Sequence, residues 1–176
     1  MLDEVVPFLD QPLLLPEEQD RYMQPTVSNE TGDIYEHCVR AIDRSLTVGA
    51  HGLPLMGSGD WNDGMNRVGQ GGKGESVWLG WFLYTTLAQF LPHVKSRNQL
   101  ERYQRYREHM ESLRKALEQN GWDGDWYRRC YFDDGTPLGS AQNEECRIDS
   151  IAQSWAVISG ASDNYRMTRA MAAVEE

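Results

Sequence analysis

The spacing of apolar residues predicts a helix shortly after the start of the chain. Asp33 stands three residues before Glu36, which resembles a capping box at a helix start. The apolar residues of this segment then recur every three or four positions, namely at Tyr35, Cys38, Val39, Ile42 and Leu46. This period is that of one helix face and predicts a helix of roughly four turns.

Two later segments predict an inner and an outer helix. Residues 75–91 are apolar nearly all the way round, so we expect a helix that is buried on most sides and is stopped by Pro92. Residues 100–117 are charged apart from one narrow apolar stripe, which predicts a helix on the outside that ends at Asn120-Gly121. Such a pair favours two concentric helical layers.

The remaining segments predict loops and short helices. Residues 1–30 contain four prolines and should be extended, and residues 49–74 form a long glycine-rich loop of the kind that often carries function. A hairpin tip is expected at 133–135, and a buried helix at 150–159 through Ile151, Trp155 and Ile158 precedes a last helix capped by Ser162. No two-residue alternation supports a sheet, so we predict one all-α domain over residues 1–176.

Charge and composition exclude several classes of function. The net charge of −10 argues against nucleic-acid binding, which needs a basic face. No apolar run approaches the length of a membrane span, and no basic region marks a signal peptide, so we expect the chain itself to be cytoplasmic. The three cysteines and four histidines show no metal-ligand spacing, and we predict neither a metal nor a cofactor.

Residues 59–64 carry the most suggestive chemistry. Sugars stack on aromatic rings and hydrogen-bond to planar polar side chains, and the run GDWNDG offers both. Glycosidic cleavage also needs a carboxylic acid whose pKa is raised by burial or by a neighbouring carboxylate, and Asp60 and Asp63 could supply acid and neighbour. The alternative is that both aspartates only shape turns or cap a helix. A phosphate loop at 69–76 is disfavoured because the Walker spacing is incomplete and no strand precedes it.

Several long runs resemble glycoside hydrolase family 94. They are residues 52–69 (GLPLMGSGDWNDGMNRVG), 72–82 (GKGESVWLGWF), 2–9, 134–140 and 149–160, which together reach across essentially the whole chain. The family includes cellobiose and chitobiose phosphorylases and the C-terminal domain of cyclic β-1,2-glucan synthase. The run at 72–82 is most similar to the synthase branch.

The resemblance implies an (α/α)6 barrel and inverting phosphorolysis of a β-glycosidic bond, with inorganic phosphate as co-substrate and a β-glucan oligosaccharide, β-1,2-linked, as substrate. Asp63 matches the general acid and would protonate the glycosidic oxygen while phosphate attacks the anomeric carbon. Trp61 matches a residue that borders the sugar subsite. By the same resemblance, further substrate-binding candidates are Asp60, Asn62, Arg147 and Gln153.

The resemblance also implies that this chain is a fragment. A complete barrel has twelve helices and the patterns predict about five, so the phosphate-binding segments of the family should lie beyond Glu176. Two alternatives stay open: a hydrolase in which Glu144 or Glu145 acts as base, and a catalytically silent module that packs or binds carbohydrate. An open piece of barrel should expose the apolar helix and self-associate. Whether the parent is an inner-membrane synthase or a soluble phosphorylase also stays open.

Overall fold

The computed structural model describes residues 1–15, 18, 21–60 and 62–176, and for Asp63 the backbone only. Its contacts divide the chain into two compact units, 1–46 and 47–176. The prediction of one incomplete domain over the whole chain stays a prediction.

The first unit is a two-stranded antiparallel sheet followed by a helix. Strand β1 (Val5–Asp10) pairs with β2 (Thr26–Asp33), and the register is irregular between Pro7 and Leu9. Helix α1 (Ile34–Ser45) begins where the Asp33 carboxylate accepts the N–H of Glu36 at 2.7 Å. This bond confirms the predicted cap, because it satisfies one of the free amides of the first turn.

The second unit is dominated by four helices: α2 (Val77–Ser96), α3 (Leu100–Ala116), α4 (Ser150–Ser159) and α5 (Asn164–Glu175). Helix α2 packs against both α3 and α4, and α4 packs against α5. A π-helical turn, Leu117–Gly121, ends α3 at the predicted position. In the part of the chain that is described, no helix is both long enough and apolar enough to cross a membrane.

The expectation that the chain contains no sheet is wrong. Besides β1 and β2, the second unit has a three-stranded antiparallel sheet in the order β3 (Glu75–Ser76), β4 (Cys130–Tyr131) and β5 (Pro137–Leu138). Strands β3, β4 and β5 are only two residues long, and β2 is mostly polar. These four strands therefore do not show the hydrophobic alternation by which a strand is predicted. The predicted hairpin at 133–135 is confirmed as the β4–β5 turn.

The limits of α2 and its burial differ from the prediction. The helix continues past Pro92 to Ser96, because proline removes only one backbone donor and the last turn is held by the fully buried Val94. Eight of the 20 residues of α2 are buried, and Phe82 is 41% exposed, so the helix is less enclosed than predicted. Helix α3 is one-sided as predicted, with Tyr106 and Leu113 in the core.

Two predictions about the last helices are also wrong. The buried face of α4 is formed by Ala152, Gln153 and Ala156, which leaves Ile158 60% exposed. Helix α5 is capped by Asp163, whose carboxylate accepts two N–H groups of the first turn. The hydroxyl of Ser162 hydrogen-bonds to that of Tyr127 instead. Asp163 takes the position because a carboxylate can accept both amides and also favours the positive end of the helix.

Candidate functional site

The loop at 59–64 is shaped by short side-chain to backbone bonds. The N–H of Asn62 donates to Asp60 Oδ1 at 3.2 Å, and the N–H of Gly64 donates to Asn62 Oδ1 at 3.1 Å. Asn62 thereby caps a single 3₁₀ turn, Asp63–Met65. Asp60 therefore holds a turn, as the conformational alternative expected, and Asn62, for which that alternative was not considered, caps the next one.

A buried ion pair ties this loop to the three-stranded sheet. The guanidinium of Arg129 donates from Nη1 to Asp60 Oδ2 at 2.7 Å and from Nη2 to Asp60 Oδ1 at 2.9 Å. Their side chains are 2% and 0% exposed, respectively. The two parallel bonds fix the plane of the carboxylate as well as its position, which a single contact would not do.

Two helix caps complete the cluster around Arg129. Ser76 Oγ donates to Asp60 Oδ2 at 2.8 Å and accepts the N–H of Leu79 at the start of α2. Asp149 caps α4 through the N–H of Ile151, and its Oδ2 lies 3.1 Å from Arg129 Nε. The loop, the sheet and the first turns of two helices therefore meet at one guanidinium.

The electrostatics of the cluster keep Asp60 ionised. Burial alone would raise the pKa of the Asp60 carboxyl, but the hydrogen bonds from Arg129 and Ser76 outweigh burial and lower the pKa to about 2. A carboxyl with so low a pKa holds no proton near neutral pH. Asp60 is consequently unsuited to protonate a leaving group.

The other predicted site residues are spread over the second unit. Trp61 and the side chain of Asp63 lie outside the described residues, whereas Arg147 is exposed in the segment before α4. Gln153 is completely buried: its amide accepts the N–H of Tyr127 at 2.8 Å and donates to the carbonyl of Tyr127 at 2.7 Å. The structure thus joins Asp60 and Asn62 in one loop, and it shows Gln153 fastening α4 to the segment before β4.

Sequence reasoning missed Arg129, Ser76 and Asp149. Arg129 lies 69 residues from Asp60 along the chain, and nothing in the local pattern pairs the two. Ser76 and Asp149 carry a weak signal, because each directly precedes an apolar helical run and so reads as an N-cap. Their contacts with Arg129 depend on the fold.

A second carboxylate holds the other end of the glycine-rich loop. Asp133, in the β4–β5 turn, accepts the N–H groups of Gly71 at 2.6 Å, Lys73 at 2.8 Å and Gly74 at 2.9 Å. Asp133 and Lys73 also line a pocket of 380 Å³ together with His51 and Glu75. The loop is thus fastened at Asp60 by Arg129, directly before β4, and at residues 71–74 by the β4–β5 turn.

Buried Glu75 fixes the chain at the start of the same loop. Its carboxylate accepts the N–H groups of His51 and Leu53, each at 3.0 Å, and lies 2.5 Å from His51 Nδ1. The His51 ring stacks on Tyr131 with 3.7 Å between the ring centroids. The groups that bond to the Glu75 carboxylate here are the two backbone N–H groups and the His51 ring, which indicates a structural role for Glu75. Glu144 and Glu145, the two predicted alternatives for a base, are exposed.

Comparison with known proteins relates the chain to carbohydrate-active enzymes. Residues 15–176 match the Glycosyl hydrolase 94 superfamily, catalytic domain. The chain is 57% identical over 175 residues to the cyclic β-(1,2)-glucan synthase NdvB of Rhizobium meliloti. It is 36% identical over 149 residues to the 3-O-β-D-glucopyranosyl-β-D-glucuronide phosphorylase and 37% over 155 residues to the solabiose phosphorylase, both of Paenibacillus borealis.

The matched segments cover unequal shares of the proteins compared. They take in 99%, 84% and 86% of this chain, but only 6% of the synthase and 19% and 20% of the two phosphorylases. The family's catalytic domain is an (α/α)6 barrel, with which the helical second unit is consistent. The predicted resemblance is confirmed: the chain belongs to the glycosyl hydrolase 94 superfamily and carries part of its catalytic domain.

Proposed function

We propose that this chain supplies the acid-bearing loop of an inverting phosphorylase that acts on a β-linked glucan, with Asp63 as the general acid. One observation carries the assignment within the loop. Asp60 is ionised and paired with Arg129, so it has no proton to give. Asp63 is the other carboxyl of the run GDWNDG, and it begins the turn that Asn62 caps.

In the proposed reaction an oxygen of inorganic phosphate attacks the anomeric carbon as the glycosidic carbon–oxygen bond breaks. Asp63 gives its proton to the leaving oxygen, so that the shortened glucan departs as an alcohol. The products are a sugar 1-phosphate with inverted anomeric configuration and a glucan that is one residue shorter. Asp63 is left ionised and takes up a proton before the next turnover. No second enzyme carboxylate is needed, because phosphate itself is the nucleophile.

The relatives support the substrate class that we propose. Two of them are phosphorylases by name, one of them of a β-D-glucopyranosyl glucuronide, and the relative at 57% identity is a cyclic β-(1,2)-glucan synthase. A β-1,2-linked glucan is therefore the substrate we propose, with phosphate as co-substrate. Because the chain spans about a fifth or less of each relative, the activity proposed is that of a whole protein to which this chain contributes.

We propose sugar contacts for Trp61, Asn62 and Arg147. Asn62 and Arg147 are exposed and polar, which suits contact with hydroxyl groups. Gln153 was predicted for the same role, but its amide group is engaged by backbone atoms. In the part of the chain that the structure describes, Gln153 would affect sugar binding indirectly, through its hydrogen bonds to the Tyr127 backbone.

The test uses a chimera in which this chain replaces the matched 175 residues of the Rhizobium meliloti synthase. We expect the chimera to release glucose 1-phosphate from linear β-1,2-glucan oligosaccharides only when phosphate is present. Asp63→Asn should lower this rate by at least about 100-fold, in keeping with the contribution of general acid catalysis. Asp134→Asn, which alters an exposed aspartate of the β4–β5 turn, is the matched control and should keep the rate.

The unmodified synthase reports whether the assay conditions are adequate. Release of free glucose without phosphate would favour the hydrolase, in which water replaces phosphate and a carboxylate acts as base. Full activity of Asp63→Asn would remove Asp63 from the mechanism. No release from the chimera under conditions where the synthase is active would contradict the proposed function of this chain.

A further inference from the structure

The position of Asp63 depends on a residue 66 positions away along the chain. Asp63 follows Asp60 by three residues, and two hydrogen bonds link the Asp60 carboxylate to the turn at Asp63: Asn62 N–H donates to Asp60, and Gly64 N–H donates to Asn62. Any shift of the Asp60 carboxylate is therefore passed to the start of the 3₁₀ turn. Arg129 and Ser76 both hold this carboxylate.

Arg129 is held firmly enough to act as such an anchor. Its N–H donates to the carbonyl of Leu138 at 2.8 Å, and its carbonyl accepts the N–H of Val77 at 3.1 Å. Gly139 lies so close that a Cβ there would be 2.6 Å from Arg129 N, so the backbone has no room to move on that side. The guanidinium also lies 6.0 Å from the centroid of the Trp78 ring.

Stability alone does not account well for the ion pair. Removing two charges from water costs free energy that their attraction repays only in good geometry, so such pairs add little net stability compared with apolar packing. What the arginine fork does supply is a fixed orientation of the carboxylate, because both oxygens are bonded in one plane. Orientation is the property that a general acid requires, since a displacement of about 1 Å can cost about 100-fold in rate.

We infer that Arg129 is a positioning residue for the acid: through the forked bonds to Asp60 it sets the place and the charge surroundings of Asp63. The inference rests on the proposed function. The charged or titratable groups that face the pair are Asp149 from the cap of α4 and the Cys130 thiol from β4, and Ser76 completes the shell from the cap of α2. Arg129 itself need not touch the substrate.

The first test separates geometry from charge. Arg129→Lys keeps the positive charge but cannot form the fork, and Arg129→Met removes both. In the chimera we expect both variants to lower kcat by about 10- to 100-fold with KM nearly unchanged, and the lysine variant to be the less impaired. Arg128→Met is the matched control, since Arg128 pairs with Asp123 and donates to the carbonyls of Asn120 and Trp122 instead.

The second test reads the charge around the acid from the pH dependence of kcat. Asp60→Asn leaves the Arg129 cation without its carboxylate, next to a residue whose Cα is within about 11 Å of the Asp63 Cα as judged by chain length. A nearby cation favours the ionised form of an acid, so the alkaline limb of the profile should move to lower pH. The double variant Asp60→Asn/Arg129→Met removes both charges and should return the limb towards its original position.

The outcomes distinguish this inference from the proposed function. A kcat for Arg129→Met within about twofold of the unmodified chimera, with Asp63→Asn inactive, would overturn the positioning role and leave the function standing. Equal losses in Arg129→Met and Arg128→Met, together with an unmoved pH limb in Asp60→Asn, would show a merely structural role. An active Asp63→Asn would refute the proposed acid whatever the Arg129 variants do. Circular dichroism of each variant shows whether it has folded. If Arg129→Met has not folded, the kcat of Arg129→Lys decides between a positioning role and a merely structural one.

Discussion

At the scale of single residues, two aspartates shape the glycine-rich loop by opposite means. Asp60 is buried and bonded to a guanidinium, which fixes its orientation. Asp133 lies nearer to solvent and gathers three backbone N–H groups of residues 71–74. Carboxylates suit both tasks because they accept several hydrogen bonds at once and strengthen each with charge.

Asp133→Asn is expected to loosen residues 71–74. The asparagine keeps the shape but loses the charge and one acceptor oxygen, and hydrogen bonds to charged groups contribute about 1.5 to 3 kcal/mol. Hydrogen exchange of the Gly71, Lys73 and Gly74 amides should accelerate at least about tenfold. Asp134→Asn is the control, because Asp134 accepts the N–H of Thr136 within its own turn. Unchanged exchange in Asp133→Asn would contradict the role given to this carboxylate.

The same carboxylate predicts a dependence on pH. The N–H groups of Gly71 and Lys73 lower the pKa of Asp133 below its ordinary value of 3.8. A lowered folded-state pKa means that the stabilisation is complete above 3.8 and is lost as pH falls through the lowered value. Protection of the three amides should therefore decline only in strongly acidic solution.

At the scale of elements, residues 68–69 and residue 74 of the glycine-rich loop lie so close together that glycine is required at position 74. A Cβ at Gly74 would lie 2.5 Å from Gly69 Cα and 2.6 Å from the carbonyl oxygen of Val68. These are backbone atoms, so they cannot avoid the clash by changing rotamer as a flexible side chain could. At Gly59 the nearest atom would be Asn62 O at 3.6 Å, an ordinary contact.

Gly74→Ala should therefore lower the free energy of unfolding by about 2 kcal/mol, as overpacking typically does. Gly59→Ala adds the same methyl group without a clash and should change it by less than about 0.5 kcal/mol. Urea unfolding followed by tryptophan fluorescence measures both. Equal midpoints for the two variants would show that the loop arms can separate at little cost.

At the scale of the whole molecule, the helices leave apolar side chains exposed. Phe82 on α2, and Val157 and Ile158 on α4, are 41%, 42% and 60% exposed. Helices in a soluble protein normally bury such residues against a further layer. The chain spans only 6% to 20% of the first three relatives compared above, which is consistent with further layers supplied by other parts of a longer protein.

The chain expressed by itself is expected to self-associate through these residues. Ile158→Lys should weaken the association at least about tenfold, because a charge in an apolar contact remains unpaired. Sedimentation velocity over a range of concentrations measures the change. Leu100→Lys alters an equally accessible aliphatic residue on α3 and should have little effect. A monomer of 20.2 kDa at all concentrations would contradict the expectation.

Sequence patterns located the helices but not their partners. The start of α1 was predictable, because the Asp33 cap and the apolar period both act within one or two turns. The end of α2 was not, because the burial of Val94 outweighs the local effect of Pro92. The buried face of α4 also differed from the prediction, because Gln153, which is hydrogen-bonded to the Tyr127 backbone, lies on the buried side and Ile158 does not.

For this protein the sequence by itself determined the helices, the glycine-rich loop and the family, since each depends on neighbouring residues or on long contiguous runs. Only the tertiary structure decided that Asp60 is ionised. Residue type alone does not distinguish Asp60 from Asp63, and the low pKa of Asp60 comes from the hydrogen bonds of Arg129, 69 residues beyond it, and of Ser76. Hydrogen bonds and burial act through space, so the charge state of a side chain depends on the fold that surrounds it.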